Sequence, residues 1–182
     1  MIMRIYVILI IFVFSFTITA SSGSEFAPVL RVDKEETLVL NAYGYLSKYL
    51  FRIYAAALYL KNPSRESIRV IQAKETMAIQ LKVLYGGLSR KELSGALRNG
   101  FKYSTGRNDA KLARLQKRID LFLGCFAEKP KKNDTSIFVY KPDRGVDVFI
   151  RGHYCTTVEG HDFKEALFGI WLGSNPADKN LR

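Results

Sequence analysis

The chain has 182 residues, 48% hydrophobic and 25% charged, with a formal net charge of +11. That length suits one domain with an appendage, and the apolar share excludes a largely disordered chain. Two histidines and two cysteines leave little from which to build a metal site.

Residues 1–4 carry one positive charge, and residues 5–14 form an unbroken apolar run that residues 15–20 extend weakly. These are the n-region and h-region of a secretory signal. Residues 1–20 are expected to be a signal peptide, cleaved at about 20–24, leaving residues 21–182 as the working domain. The run is shorter than the ~20 residues a spanning helix needs, which disfavours an uncleaved anchor. No cysteine follows it, so lipid attachment there is not expected. The expected location is periplasmic or secreted. Losing Arg4 with the leader lowers the charge to 11 − 1 = +10. Export and the scatter of basic residues speak against nucleic acid as partner. An anionic membrane surface or ligand is the more natural neighbour of a basic exported protein, and plain solubility is the simpler account.

"SSGSEFAP" reads as a short flexible lead-in. Residues 29–32 and 37–43 are expected strands around the acidic turn "DKEE". Residues 49–60 make a stronger strand, stopped by Pro63, and 64–73 a short helix. Residues 76–84 alternate, with Met77, Ile79, Leu81 and Val83 on one side and Gln80 and Lys82 on the other, as in a half-buried strand. Ser89 and Glu92 form a capping box. It opens a helix with Leu93, Ala96, Leu97 and Phe101 on one face. After "STGRND", a second helix turns Leu112, Leu115, Ile119, Phe122 and Leu123 to the core. Its Lys111, Arg114, Lys117 and Arg118 could touch an anionic surface, although a solvated face is the simpler reading. Residues 136–140 and 146–151 read as a hairpin around "KPDRG". A last helix runs from about His161 to Leu172, with Gly173 as a left-handed stop and Pro176 beyond it. Strands, helices, strands and a helix in that order predict an α+β fold, helices on one face of a mainly antiparallel sheet.

Chemical motifs are sparse. His153, Cys155 and His161 are spaced H-x-C-x5-H, which is not an established metal pattern, so no metal is expected. No G-x-S-x-G, G-x-G-x-x-G or Walker A sequence occurs, so no cofactor is expected and catalysis has little support. Asp143 and Asp147 read as surface carboxylates. Cys125 and Cys155 are a disulfide in an oxidising compartment or two buried thiols.

The stretch with most to say is "NAYGYLSKYLFRIYAAALYL", residues 41–60. Alternation puts Leu50, Arg52, Tyr54, Ala56 and Leu58 on one face and Tyr49, Phe51, Ile53, Ala55, Ala57 and Tyr59 on the other. Arg52 beside Tyr54 would suit an anionic head group; the alternative is an edge arginine paired with a carboxylate. Small side chains at Ala55–Ala57 mean that a helix packs close or that a cavity remains.

With the ending "DFKEALFGIWLGSNPADKNL", this stretch resembles the bacterial chalcone isomerase-like proteins, whose pattern is G-x-G-x-R-x-K, a strand near "VYxAxLYL" and a late F-x-x-A-L-x-G-I-W-L-G-x-x-P. "GIWLG", residues 169–173, is the most specific part, and the resemblance covers roughly residues 28–181. It implies the chalcone isomerase fold, an open-faced β-sandwich of a large antiparallel sheet and a layer of helices. Plant chalcone isomerases close a ring with an arginine that holds the oxyanion, helped by threonine and tyrosine hydroxyls. Carried onto this chain, that arginine falls on Leu46, the first pattern glycine on Ala42, and the strand threonine on Tyr54; Gly44 and Lys48 match. A second branch of the fold binds fatty acids without catalysis. The resemblance therefore implies a non-catalytic protein holding a small amphipathic or fatty-acid-like ligand, with Leu46, Lys48, Arg52 and Tyr54 as binding candidates. The alternatives are an isomerase with a rearranged cation at Arg52 or Lys48, and a ligand-free scaffold. In the last, Leu46 and Tyr54 plug the old pocket, with Tyr43 and Tyr45 crowding it.

Overall fold

The computed structural model describes residues 14–15, 25–34, 36–48 and 50–173. Apart from Phe14 and Ser15, the expected leader of residues 1–20 lies outside them, as do its cleavage region and Pro176.

Strands β1 (Phe14–Ser15), β2 (Val29–Arg31), β3 (Thr37–Lys48), β4 (Phe51–Leu60), β5 (Met77–Val83), β6 (Thr135–Lys141), β7 (Gly145–Ile150) and β8 (His153–Val158) form one sheet. Pairing is antiparallel throughout, in the order β3-β4-β5-β6-β7-β8, with β1 and β2 both along the outer edge of β3. Helices α1 (Ser67–Gln72), α2 (Arg90–Ser104), α3 (Asp109–Gly124) and α4 (His161–Leu172) complete the elements of the described residues. One large core joins the helices to one sheet face through Leu58, Ile79, Phe138 and Val148, with Leu97, Phe101, Phe122, Phe163 and Leu167 above. Fully buried phenylalanines are worth roughly 1.5–3 kcal/mol each. Phe101, Phe122, Phe138 and Phe163 are all in that class.

The local signals account for most of these elements. The capping box forms: Ser89 Oγ accepts from Glu92 N at 3.2 Å while Glu92 Oε2 accepts from Ser89 N at 2.9 Å. Gly145, at φ +109°, lets the β6–β7 hairpin close under the Val158 carbonyl, where a Cβ would stand 2.4 Å from that oxygen.

Several expectations need correction. The strand expected over 37–43 runs to Lys48, and the one expected from 49 begins at Phe51, so the stretch is a hairpin rather than one strand. Strand β8 was not expected; it follows a turn in which Arg151 and Gly152 have φ of +53° and +80°. Gly173 is not a left-handed stop: its φ is −67°, and its N–H donates to the Gly169 carbonyl at 3.0 Å. Glu25–Pro28 is not a free lead-in. It crosses the sheet face away from the helices, with Phe26 buried over Ala55, Ala57 and Ala78. The Tyr59 hydroxyl donates to the Ala27 carbonyl at 2.9 Å, and Lys82 pairs with Glu25 at 3.7 Å. So the small side chains at 55 and 57 answer to this strap, and Ala56 to the helices.

Two extra residues disturb the β3–β4 ladder. Asn41 is unpaired between Leu40 and Ala42, and Ile53 between Arg52 and Tyr54. The Asn41 amide uses the break to grip Ser64, accepting from its N–H at 2.8 Å and donating to its carbonyl at 3.0 Å. A third bulge, at Cys155 on β8, lies between partners Tyr154 and Thr156.

Candidate functional site

Leu46 on β3, Tyr54 on β4 and Val83 on β5 are register partners across the sheet. Leu46 belongs to the helix-side core, which also holds Leu93, Leu97 and Trp171, and Tyr54 packs half-buried against it. Leu46 is 5% exposed. The Trp171 indole N–H donates to the Tyr54 hydroxyl at 3.2 Å. Burial pushes the Tyr54 phenol up to about 12, against the smaller opposing effect of the Trp171 bond, so it stays a protonated donor at neutral pH. Among the described residues no acceptor takes that proton.

Arg52 is not beside Tyr54. The bulge at Ile53 makes Arg52 and Tyr54 consecutive positions of the ladder, and consecutive positions face opposite ways. Arg52 pairs with Ser47 and lays its guanidinium 4.1 Å above the Tyr45 ring. Tyr45 and Tyr43 pack with the strap on the far face. They do not crowd Tyr54. The shared face expected for Arg52 and Tyr54 is therefore corrected. Lys48 ends β3 opposite Phe51.

Cys125 caps α3 and is bonded to Cys155 across 30 residues of sequence, with Cα atoms 6.0 Å apart. Among the described residues no three His, Cys, Asp or Glu side chains converge as a metal set. On α3, Arg118 is not free for a surface: it donates to both Asp162 oxygens, at 2.6 and 2.7 Å.

Two site features were not foreseen. Trp171 lay in view within "GIWLG" without a role. Gly169 of the same motif allows α4 to approach α2: a Cβ there would stand 3.0 Å from Ser104 Cβ, and one at Gly100 would stand 2.7 Å from Ile170 Cγ2. The other is Lys164. It is wholly buried, and its ammonium donates to the carbonyls of Val70, Ile71 and Ala73 at 2.9, 2.7 and 2.8 Å, closing the end of α1. A lysine among Phe163, Ala166 and Leu167 was the only signal for it.

The sequence pattern of the "Chalcone isomerase-like" family matches residues 19–182. The chain belongs to that family. Its curled antiparallel sheet with four helices on one side is the family's fold. Fatty-acid-binding protein 1 of Arabidopsis thaliana is 26% identical over 117 residues, 62% of this chain and 40% of that protein. The chain thus spans less than half the length of that relative. The crystal structure of an Arabidopsis thaliana fatty-acid-binding protein superimposes with a TM-score of 0.64 at 21% identity, covering 92% of this chain and 94% of that one. At that identity the likeness concerns the fold alone.

Proposed function

We propose that this chain is an exported, non-catalytic member of the family that binds a small amphipathic or fatty-acid-like molecule between sheet and helices. The observation that carries the reading is the Tyr54 hydroxyl. It packs half-buried against the apolar helix-side core, is protonated, and among the described residues has a donor but no acceptor partner. A buried O–H without an acceptor is costly, and a ligand's carboxyl or carbonyl oxygen would satisfy it. The Arabidopsis relative is named for binding fatty acids, which agrees in ligand class. Ring closure would need a fixed cation at the oxyanion. Leu46 stands where the family arginine is expected, and Arg52 is turned to the other face. The leader-like N-terminus and the Cys125–Cys155 bond both suit an oxidising compartment.

The test is native mass spectrometry of the isolated protein, followed by organic extraction. A stoichiometric acyl-chain species, weakened up to about tenfold by Tyr54→Phe, is expected. Trp171 is the sole tryptophan, so its emission should change on titration with fatty acid. A clean apo mass with no response to fatty acids would end this reading. It would leave the filled scaffold, which the burial of Leu46 and the Tyr54–Trp171 bond favour.

A further inference from the structure

The β3–β4 hairpin ends in side chains that the fold does not use. Leu50 is 98% exposed, Phe51 59% and Tyr85, from the β5–α2 loop, 40%. The Phe51 and Tyr85 rings lie 5.5 Å apart, and Leu50 precedes Phe51 at the end of the hairpin. The ring pair is built rather than loose. Leu84 and Tyr85 both donate backbone N–H to the Ile53 carbonyl, at 2.9 and 3.2 Å, so the loop is tied to the hairpin at the bulge. Gly87 gives the Tyr85 ring its seat; a Cβ there would stand 2.4 Å from Tyr85 Cε1. A single exposed leucine is ordinary. An exposed leucine next to a packed pair of exposed rings is a recognition feature.

Cations lie near these residues in the chain. Arg52 leaves the hairpin with no carboxylate partner among the described residues, only the Tyr45 ring. Arg90 and Lys91 begin α2, three and four residues beyond Gly87 and equally without a carboxylate. By chain length they are held within about 15 Å of it. They line an open groove of about 560 Å³ between α2 and α3, with Ser94 and with Arg98, which pairs with Asp120 at 2.9 Å. Exposed aromatic and aliphatic side chains with cations near them in the chain match one kind of surface, an anionic lipid interface. There rings and leucines enter the acyl boundary and cations meet phosphate. Protein surfaces of opposite charge would complement the cations but not the exposed leucine.

We infer that the β3–β4 hairpin tip, Leu50 and Phe51 with Tyr85, inserts into the interface of an anionic lipid membrane, with Arg52, Arg90 and Lys91 engaging the head groups. This goes beyond ligand binding and does not depend on it.

The test places a reporter at the tip. Leu50→Trp protein is mixed with vesicles of phosphatidylcholine alone, or of phosphatidylcholine with phosphatidylglycerol. With the anionic vesicles only, the introduced indole should shift to shorter wavelength and be quenched by brominated lipid. Wild type, with buried Trp171 alone, should do neither. Leu50→Ser with Phe51→Ser should weaken partition at least about tenfold, and Arg90→Gln and Lys91→Gln roughly fivefold for each charge. Both residues of each pair are exposed, so unchanged thermal melting should confirm intact folding. An introduced indole that stays in water, even on protein bound to vesicles by its leader, overturns the inference. So does partition unaltered by the serine pair. A drop in solution mass caused by that pair without lipid would show a self-association face instead.

Discussion

Reduction of the Cys125–Cys155 bond should have a cost set by loop length. The bond closes a separation of 30 residues. Constraining a loop of that length in the unfolded chain removes roughly 12 cal/mol/K, or about 3.6 kcal/mol at 25 °C, on the chain-entropy account. For a domain of about 150 residues each kcal/mol moves Tm by about 3 °C, so reduction should lower Tm by roughly 10 °C. The assay is thermal and urea unfolding of wild type with and without reductant, free thiols being confirmed by mass. The urea m-value should rise on reduction, because the uncrosslinked unfolded chain exposes more surface. Cys125→Ala with Cys155→Ala should lose slightly more than reduction does, since the Cys125 side chain also packs against the core. A fully reduced protein whose Tm moves by less than about 3 °C, with m unchanged, would refute the loop-entropy reasoning.

Burial pulls Lys164 down to about 8 from 10.5. Between those values the unfolded chain holds a proton that the folded chain has released. Stability should therefore rise with pH across the window, by at most about 3 kcal/mol, and the gain is lost as pH falls through 8. Urea titrations should find that slope in wild type and not in Lys164→Met. They must stay below pH 10, where Tyr54 and Tyr59, pushed up to about 12, begin to act in the opposite sense. Phe26→Ala should cost about 3 kcal/mol and expose residues 25–28 to limited proteolysis, with the helix-side core intact by near-UV circular dichroism. Gly100→Ala should destabilise by about 1–3 kcal/mol through its clash with Ile170. Adding Ile170→Ala should then cost less than the sum of the two single changes, a coupling that a double-mutant cycle would detect.

The helix-side fold was legible because its signals are periodic. Met77 to Val83 alternate, Leu115 to Leu123 recur at helical spacing, and Ser89 with Glu92 announce α2. The site was less legible because it depends on places where periodicity breaks. Alternation carries Arg52 onto the Tyr54 face only if no residue is skipped, and Ile53 is skipped. Nothing in "FRIYA" marks that bulge, since its cause is the register of the partner strand. Strand β8 escaped for a related reason. "HYCTTV" is an edge strand with exposed His153, Tyr154 and Cys155, and it carries its own bulge. The Arg151–Gly152 turn was its one local sign. The strap was missed because "SSGSEFAP" offers a single large apolar residue, Phe26, and a polar composition otherwise reads as loop. Lys164 contradicts the rule that lysines stay outside. It is tolerated because three carbonyls at the end of α1 converge on one ammonium with three donors.

The bulge at Ile53 makes the facing of Arg52 a matter of counting parity rather than of residue type. One residue inserted in β3 between Leu46 and Ser47 would give Ile53 a partner. Every position from Arg52 to the hairpin tip would then exchange faces. Arg52 would leave the Tyr45 ring and come up beside Tyr54, delivering a guanidinium to the helix side without any substitution. Point mutation reaches the same end only by finding an arginine that Leu46's buried position accepts. A cation at this site is thus one codon away by insertion, and relatives of this chain differing by a single residue in that hairpin should be compared by register before they are compared by identity.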